Sequence, residues 1–233
     1  MPESATSRAR IAVLASGTGS NLQALIARLG TSKEARSRDG VISLVASNRS
    51  AAGALGIAAQ AGIPSAVIDP RDGAALRATL DAHGITLVAL AGYLKRVPPD
   101  VTSAFRGRML NVHPALLPAF GGAGMYGARV HQAVLDAGVR LTGVTVHFVD
   151  DLYDHGPIVA QWPVPVLAGD TASSLAARVL EVEHRLYPAA VDAVAGGDVW
   201  LDDANRVRGD VLDATPSTMF VLSNAETPWE RQA

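Results

Sequence analysis

At 233 residues, with 48% hydrophobic content and with 22 glycines and 13 prolines for tight connections, the chain can bury a full core as one large domain or two small ones. A formal charge of −2 with acids and bases interspersed leaves no nucleic-acid footprint, and the lack of cysteine excludes disulfides, thiolate metal sites and a cysteine nucleophile. No apolar run reaches the ~18 residues of a membrane helix, and Ile11 to Ala15, after the polar N-terminus, is too short for a signal-peptide core, so a cytoplasmic protein with no membrane or nucleic-acid partner is expected.

Ile11-Ala-Val-Leu-Ala15 has the continuous apolar character of a strand buried on both faces. Ser16-Gly-Thr-Gly-Ser-Asn21 follows, then Leu22, Leu25, Ile26 and Leu29 at helical spacing. Strand, glycine-rich turn and helix in that order place backbone N–H groups and a helix N-terminus around an anion. The turn is not a dinucleotide fingerprint. Its third glycine position holds Leu22, and the second strand, Val41 to Asn48, ends in Asn rather than a ribose-binding acid. It is not a P-loop either, for want of Gly-Lys-Ser/Thr. It reads as a site for one phosphate group, or else as a tight connection and nothing more.

The alternation continues. Ala51 to Ala61 is a helix closed by Gly62, and Ala66 to Ile68 is a short strand before Asp69-Pro-Arg71. Ala74 to Ala82 is a helix ended by His83-Gly84, and Thr86 to Tyr93 is a strong strand, followed by Leu94-Lys-Arg-Val97 and a Pro-Pro break. Val101 to Phe105 makes a short helix. Strands alternating with helices imply an α/β fold, a mostly parallel twisted sheet with helices on both faces. Ligands collect beyond the carboxyl ends of such strands, where the glycine loop, Asn48 and Tyr93 fall.

Met109-Leu-Asn-Val-His-Pro-Ala-Leu-Leu-Pro118 brings the chemistry. An apolar approach ends in Asn111 and His113, and Pro114 stops a central strand from going on. Residues two apart on an extended backbone share a face, so an amide and an imidazole that titrates near neutrality aim into one space. A strand end with two polar residues meeting solvent is the alternative. Ala119 to Gly127 is a glycine-rich loop, Ala128 to Ala137 a helix, and Gly143 to Asp150 an alternating strand. Asp151-Leu-Tyr-Asp154-His-Gly-Pro157 is a turn dense in proton-carrying groups. Ile158 to Val166 is extended, its prolines favouring a sheet edge or a hairpin. Thr171 caps a long helix, free of proline until Pro188, with Leu175, Val179, Val182 and Leu186 on one stripe. Val199 to Leu201 and Arg206-Val207 make a small hairpin, and from Thr215 the tail carries no functional signal and reads as partly disordered.

With these segments in order, the chain resembles the glycinamide ribonucleotide formyltransferases. The likeness runs from Ile11 to Leu201 and rests on Ser16-Gly-Thr-Gly-Ser-Asn21-Leu-Gln, Ser47-Asn48, Leu90-Ala-Gly-Tyr93, Asn111-Val-His113-Pro-Ala-Leu-Leu-Pro118, Gly143-Val-Thr-Val-His147 and Asp154-His-Gly-Pro157. Ala168-Gly-Asp170 and Glu183-His184, with Tyr187-Pro188, complete it. The resemblance implies a Rossmann-like formyltransferase fold over residues 1–202, with a phosphate-binding half (9–108) and a folate-binding, catalytic half (109–202). Residues 203–233 would form an extension. It implies transfer of a formyl group from 10-formyltetrahydrofolate, the co-substrate, to the amine of phosphoribosylglycinamide in purine synthesis. No metal is implied, and a homodimer is left open.

The implied roles agree with the chemistry. Acyl transfer to an amine passes through a tetrahedral adduct whose oxygen is negative and whose nitrogen must shed a proton. Asn111 would donate to that oxygen, a role worth about 3 kcal/mol. His113 would move protons, and Asp154 would orient the imidazole and raise its pKa. Gly19, Ser20 and Asn21 match the loop for the nucleotide's phosphate and ribose, and Glu183 a contact to the acceptor. Arg71, Leu94, Lys95, Arg96 and Val97, with Asn111, match folate-side positions. Two segments depart from the commoner pattern: the loop from Phe120 to Gly127, and His155 where a second glycine is usual. His155 is expected to face solvent, the alternative being a proton carrier beside Asp154.

Four rivals stand beside this reading, and a serine nucleophile is set aside because Ser16 and Ser20 lie in no G-x-S-x-G elbow. His147, Asp150, Asp154 and His155 could be metal ligands, though His147-x-x-Asp150 is no established spacing and His147 alternates with Thr145 like a strand residue. His83, His131 and His184 are expected at helix ends or the surface. A formate-releasing hydrolase would use the same Asn, His and Asp with water in place of the amine, but it carries an extra N-terminal domain and lacks the acceptor loop. A non-catalytic nucleotide-binding module would need no conjunction of Asn111, His113 and Asp154.

Overall fold

The computed structural model describes residues 8–211, so the tail from Thr215 lies outside the described residues. The chain runs β1 (Ala9–Leu14), α1 (Ser20–Leu29), β2 (Gly40–Ser47), α2 (Gly53–Gln60), β3 (Ser65–Val67), α3 (Gly73–Ala82), β4 (Leu87–Leu90) and α4 (Pro99–Ala104). It continues through β5 (Met109–His113), α5 (Ala128–Asp136), β6 (Leu141–Phe148), β7 (Ile158–Pro165), α6 (Ala172–Gly196), β8 (Val199–Leu201) and β9 (Val207–Gly209).

The first seven strands form one sheet in the order β3-β2-β1-β4-β5-β6-β7, and β8 with β9 form a separate hairpin. From β3 to β5 all pairings are parallel; β6 and β7 are antiparallel, with Asn111 opposite His147 and His113 opposite Thr145. The proline-bearing β7 takes the sheet edge, where a missing N–H costs no ladder bond. Helices cover both faces, which is why Ile11 to Leu14 can be apolar without alternation and wholly buried. On one face Leu22, Leu25, Ala54, Val134, Val179 and Tyr187 pack from α1, α2, α5 and α6. On the other, Leu76, Leu80, Val101 and Phe105 pack from α3, α4 and its C-terminal residue. Burial of a Leu side chain contributes about 2 kcal/mol, so these two layers carry the fold.

The structure corrects the sequence reading in several places. The strand expected to reach Tyr93 ends at Leu90. Gly92, at φ 68°, turns the chain there, and Ala91 and Tyr93 stay buried without belonging to the sheet. The strand expected over Gly143 to Asp150 runs instead from Leu141 to Phe148. The long helix capped by Thr171 runs through Pro188 to Gly196. Pro188 costs one helical bond, offset by burial of Leu186, Tyr187, Ala189, Ala190 and Val191 around it. Tyr187 also shares its one hydroxyl hydrogen between the carbonyls of Leu90 (2.9 Å) and Leu110 (3.2 Å), tying α6 to β4 and β5.

Candidate active site

β5 carries Asn111 and His113 to the carboxyl edge of the parallel strands, where Pro114 ends the ladder. The segment after it is held by side chains of the antiparallel pair. Thr145 accepts from the Leu117 N–H (3.0 Å) and donates to the Ala115 carbonyl (2.7 Å), while Gln161 donates to the Leu117 carbonyl (2.9 Å). His113 is thereby fixed at a strand end whose next residues cannot drift.

Asp154 arrives from the turn between β6 and β7 in a left-handed backbone conformation (φ 54°), uncommon for a residue with a Cβ. Arg96 donates to the Asp151 carbonyl within this turn. The Asp154 carboxylate meets both strand residues. Oδ2 accepts from the Gly122 N–H (2.9 Å) and lies 3.5 Å from His113 Nδ1, while Oδ1 accepts from Asn111 Nδ2 (3.4 Å) and lies 3.8 Å from His147 Nε2. His113 Nε2 is 2.8 Å from the Phe120 carbonyl.

Electrostatics here are a contest. Burial pushes the His113 pKa down, and the Asp154 charge and the Phe120 carbonyl push it up; burial wins, and the value lies below the ordinary 6.5. The sequence-based expectation that Asp154 would raise it holds for that contribution and not for the sum. Burial also pushes the Asp154 carboxyl up, but His147 and His113, when they carry the extra proton, and the Gly122 N–H together outweigh this and hold it below 3.8.

Asn111, His113 and Asp154 line a cavity of about 800 Å³ beyond the strand ends. Asn21 and Glu183 face it from another wall, bonded through Asn21 Nδ2 and Glu183 Oε2 at 2.7 Å. Burial pushes the Glu183 carboxyl up, partly countered by that bond. The Asn21 amide oxygen is buried without a partner, a polar atom left for something the cavity would hold. Gly19 and Ser20 do not line the cavity themselves. They form the turn that starts α1, with Gly19 at φ 91° and so close to α2 that a Cβ would lie 2.7 Å from Ile57 Cδ1. Gly17 lines the cavity beside them.

Leu94, Lys95, Arg96 and Val97 line the same cavity. Arg71 does not. It borders a second cavity of about 530 Å³ that also touches Asn48, Lys95 and Arg96, and its exposed guanidinium pairs with Asp69 at 3.3 Å. His155 is exposed and pairs with Asp150 (2.7 Å), away from Asp154. Among the described residues no group of three or more His, Asp or Glu side chains has a metal-holding arrangement.

Three further residues belong to the site, and the sequence reading gave none of them a role in formyl transfer. His131, expected at the surface, is 4% exposed on α5, lines the cavity, and has a buried Nδ1 without a partner. Tyr93 is 8% exposed on the cavity wall, its hydroxyl also unpartnered and its pKa pushed up to about 12 by burial first, then by Asp69 and Tyr153. His147 sits directly across from Asn111, with Nε2 3.1 Å from Asn111 Nδ2. The signal for His147 was the alternation Thr145-Val-His147, which puts it on one face with Thr145; its meaning appears only with the register of β5 against β6.

A family profile described as formyl transferase matches residues 9–191. The chain is 42% identical over 205 residues to a chloroplastic phosphoribosylglycinamide formyltransferase of Arabidopsis thaliana, covering 84% of this chain and 69% of that protein. It is 40% identical over 209 residues to the trifunctional purine biosynthetic protein adenosine-3 of Gallus gallus, covering 87% of this chain but only 20% of that protein. Among solved structures, a phosphoribosylglycinamide formyltransferase from Anaplasma phagocytophilum superposes with a TM-score of 0.77 at 38% identity, over 87% of this chain and 94% of that one.

Proposed function

The chain belongs to the formyl transferase family, and from that premise we propose that it transfers the formyl group of 10-formyltetrahydrofolate to the amine of phosphoribosylglycinamide, a step of purine synthesis. The observation that carries the reading is the meeting of Asn111, His113 and Asp154 in one cavity with the bonded pair Asn21 and Glu183. On this reading the Gly19–Asn21 turn takes the phosphate and ribose, and Glu183 contacts the acceptor. Leu94 to Val97 border the folate, with Arg71 reaching its outer end from the second cavity.

The buried His113 is neutral at rest. The neutral ring carries one hydrogen for its two acceptors and so has room for the proton that the attacking amine must lose. The cation so formed lies between a carbonyl and a carboxylate, and both ring hydrogens then have acceptors. It can return the proton to the departing folate nitrogen. Asn111 supplies the developing oxyanion with an N–H by giving up its long bond to Asp154, a donor contribution of about 3 kcal/mol. Asp154 holds the imidazole and stabilises its charged form.

The test is an assay with both substrates in which formylated ribonucleotide, tetrahydrofolate and free formate are followed together. Formylated product matched by tetrahydrofolate is expected. Free formate in place of formylated product would instead mean a hydrolase.

A further inference from the structure

We propose that His147 is a positioning residue that fixes which way the Asn111 side-chain amide faces. The inference rests on the reading of Asn111 as the donor to the formyl oxygen. His147 is 2% exposed on β6, directly opposite Asn111 on β5, so the two side chains share one face of the sheet. Its Nδ1 lies 2.8 Å from the Phe148 carbonyl oxygen, which can only accept, and Nδ1 therefore carries the hydrogen. A neutral ring then has a lone pair at Nε2, and at 3.1 Å it accepts from the Asn111 amide nitrogen.

The reversed amide is excluded twice. Its oxygen would face the Nε2 lone pair, and it would also face the Asp154 carboxylate, whose Oδ1 is 3.4 Å from the same amide atom. A relay therefore runs from the Phe148 carbonyl through the His147 ring to Asn111 and ends at Asp154. It presents the N–H side of the amide to the reacting carbon before any substrate arrives. Catalysis by a fixed dipole depends on that prior orientation, since a free amide would have to be turned during the reaction. A reversed Asn111 would present oxygen to the developing oxyanion.

Two substitutions separate the two ends of the ring. The amide oxygen of Gln reaches the place of Nε2, so His147→Gln keeps an acceptor for Asn111 and loses the bond to Phe148. The shorter Asn reaches only the place of Nδ1, so His147→Asn keeps the bond to Phe148 and loses the acceptor. His147→Asn is expected to lower kcat about a hundredfold, with KM for either substrate changed less than about threefold, and His147→Gln to recover most of that loss. Equal losses in both variants, or none in either, would overturn the proposal. Long-range 15N–1H correlation spectra of the unaltered protein give a reading that needs neither folding of a variant nor turnover. They are expected to show His147 with hydrogen on Nδ1 and a lone pair on Nε2, and hydrogen on Nε2 would refute the relay. Because that spectrum is independent of activity, its failure is distinguishable from failure of the transferase reading.

Discussion

His113 Nδ1 stands 3.5 Å from Asp154 Oδ2 while its other nitrogen is 2.8 Å from the Phe120 carbonyl, so one buried imidazole faces an acceptor at each end. A neutral ring can satisfy one of them, and only the cation satisfies both. Burial opposes the cation and keeps the pKa below 6.5. The ring is empty at rest and has a place ready for the proton it would receive.

His113→Ala is expected to remove most turnover, at least a hundredfold in kcat, while titration calorimetry with the ribonucleotide finds affinity within a fewfold of the parent. Asp154→Asn keeps the shape and removes the charge, and its kcat should fall by a comparable factor. Turnover unchanged in either variant would contradict the assignment.

The pH dependence has a definite sign. His113 works as a base, so activity requires its neutral form, whose share falls as pH drops through a value below 6.5. The rate profile should be level toward pH 8, with an acid limb whose midpoint lies below 6.5. Asp154→Asn takes away the charge that favours the cation, so the limb of the residual activity should move further toward acid. Stability follows the same direction. For His113 and Asp154 the folded-state values lie below the ordinary 6.5 and 3.8, so the unfolded chain binds protons first and stability is lost as pH falls through those ranges. Melting temperatures across pH 3 to 8 check this.

Glu183 has the opposite linkage. Its folded-state value lies above 4.5, so its contribution to stability is complete below that pH and is lost as pH rises through the raised value. Glu183→Gln keeps an acceptor for Asn21 and carries no charge. It is expected to be more stable than the parent at pH 8 by about 1 kcal/mol, with the gain vanishing near pH 4. If Glu183 contacts the acceptor, the same variant should raise KM for the ribonucleotide about tenfold, or ~1.4 kcal/mol, with KM for the folate unchanged.

Gly19→Ala tests the turn that starts α1. The new Cβ would sit 2.7 Å from Ile57 Cδ1 and 2.9 Å from Ala54 Cα at φ 91°, so a loss of roughly 1–3 kcal/mol in folding stability is expected. Affinity for inorganic phosphate should weaken as well. Denaturant melts and phosphate titration measure the two effects.

Much of the fold was legible because the strongest signals were local. The apolar runs of β1 and β2 name strands buried on both faces, Thr171 announces the start of α6, and Pro114 marks where β5 must stop. Asn111 and His113 were legible as a pair for the same reason, a spacing of two on an extended segment. Tyr93 misled because a buried residue beyond a strand has the same apolar neighbours as one within it, and only Gly92 at φ 68° separates them. His131 misled because a lone His on a short helix usually meets water, whereas α5 turns this one into the cavity wall. His147 lay in the antiparallel register of β6, which places it opposite Asn111 across 36 residues of chain. No local pattern encodes that distance.

The most direct measurement of the central claim is turnover of the purified protein with 10-formyltetrahydrofolate and phosphoribosylglycinamide, parent and His113→Ala side by side. The account predicts one formylated ribonucleotide per tetrahydrofolate released by the parent, with little by the variant. Formate released without formylated ribonucleotide, or equal turnover by both proteins, would contradict it.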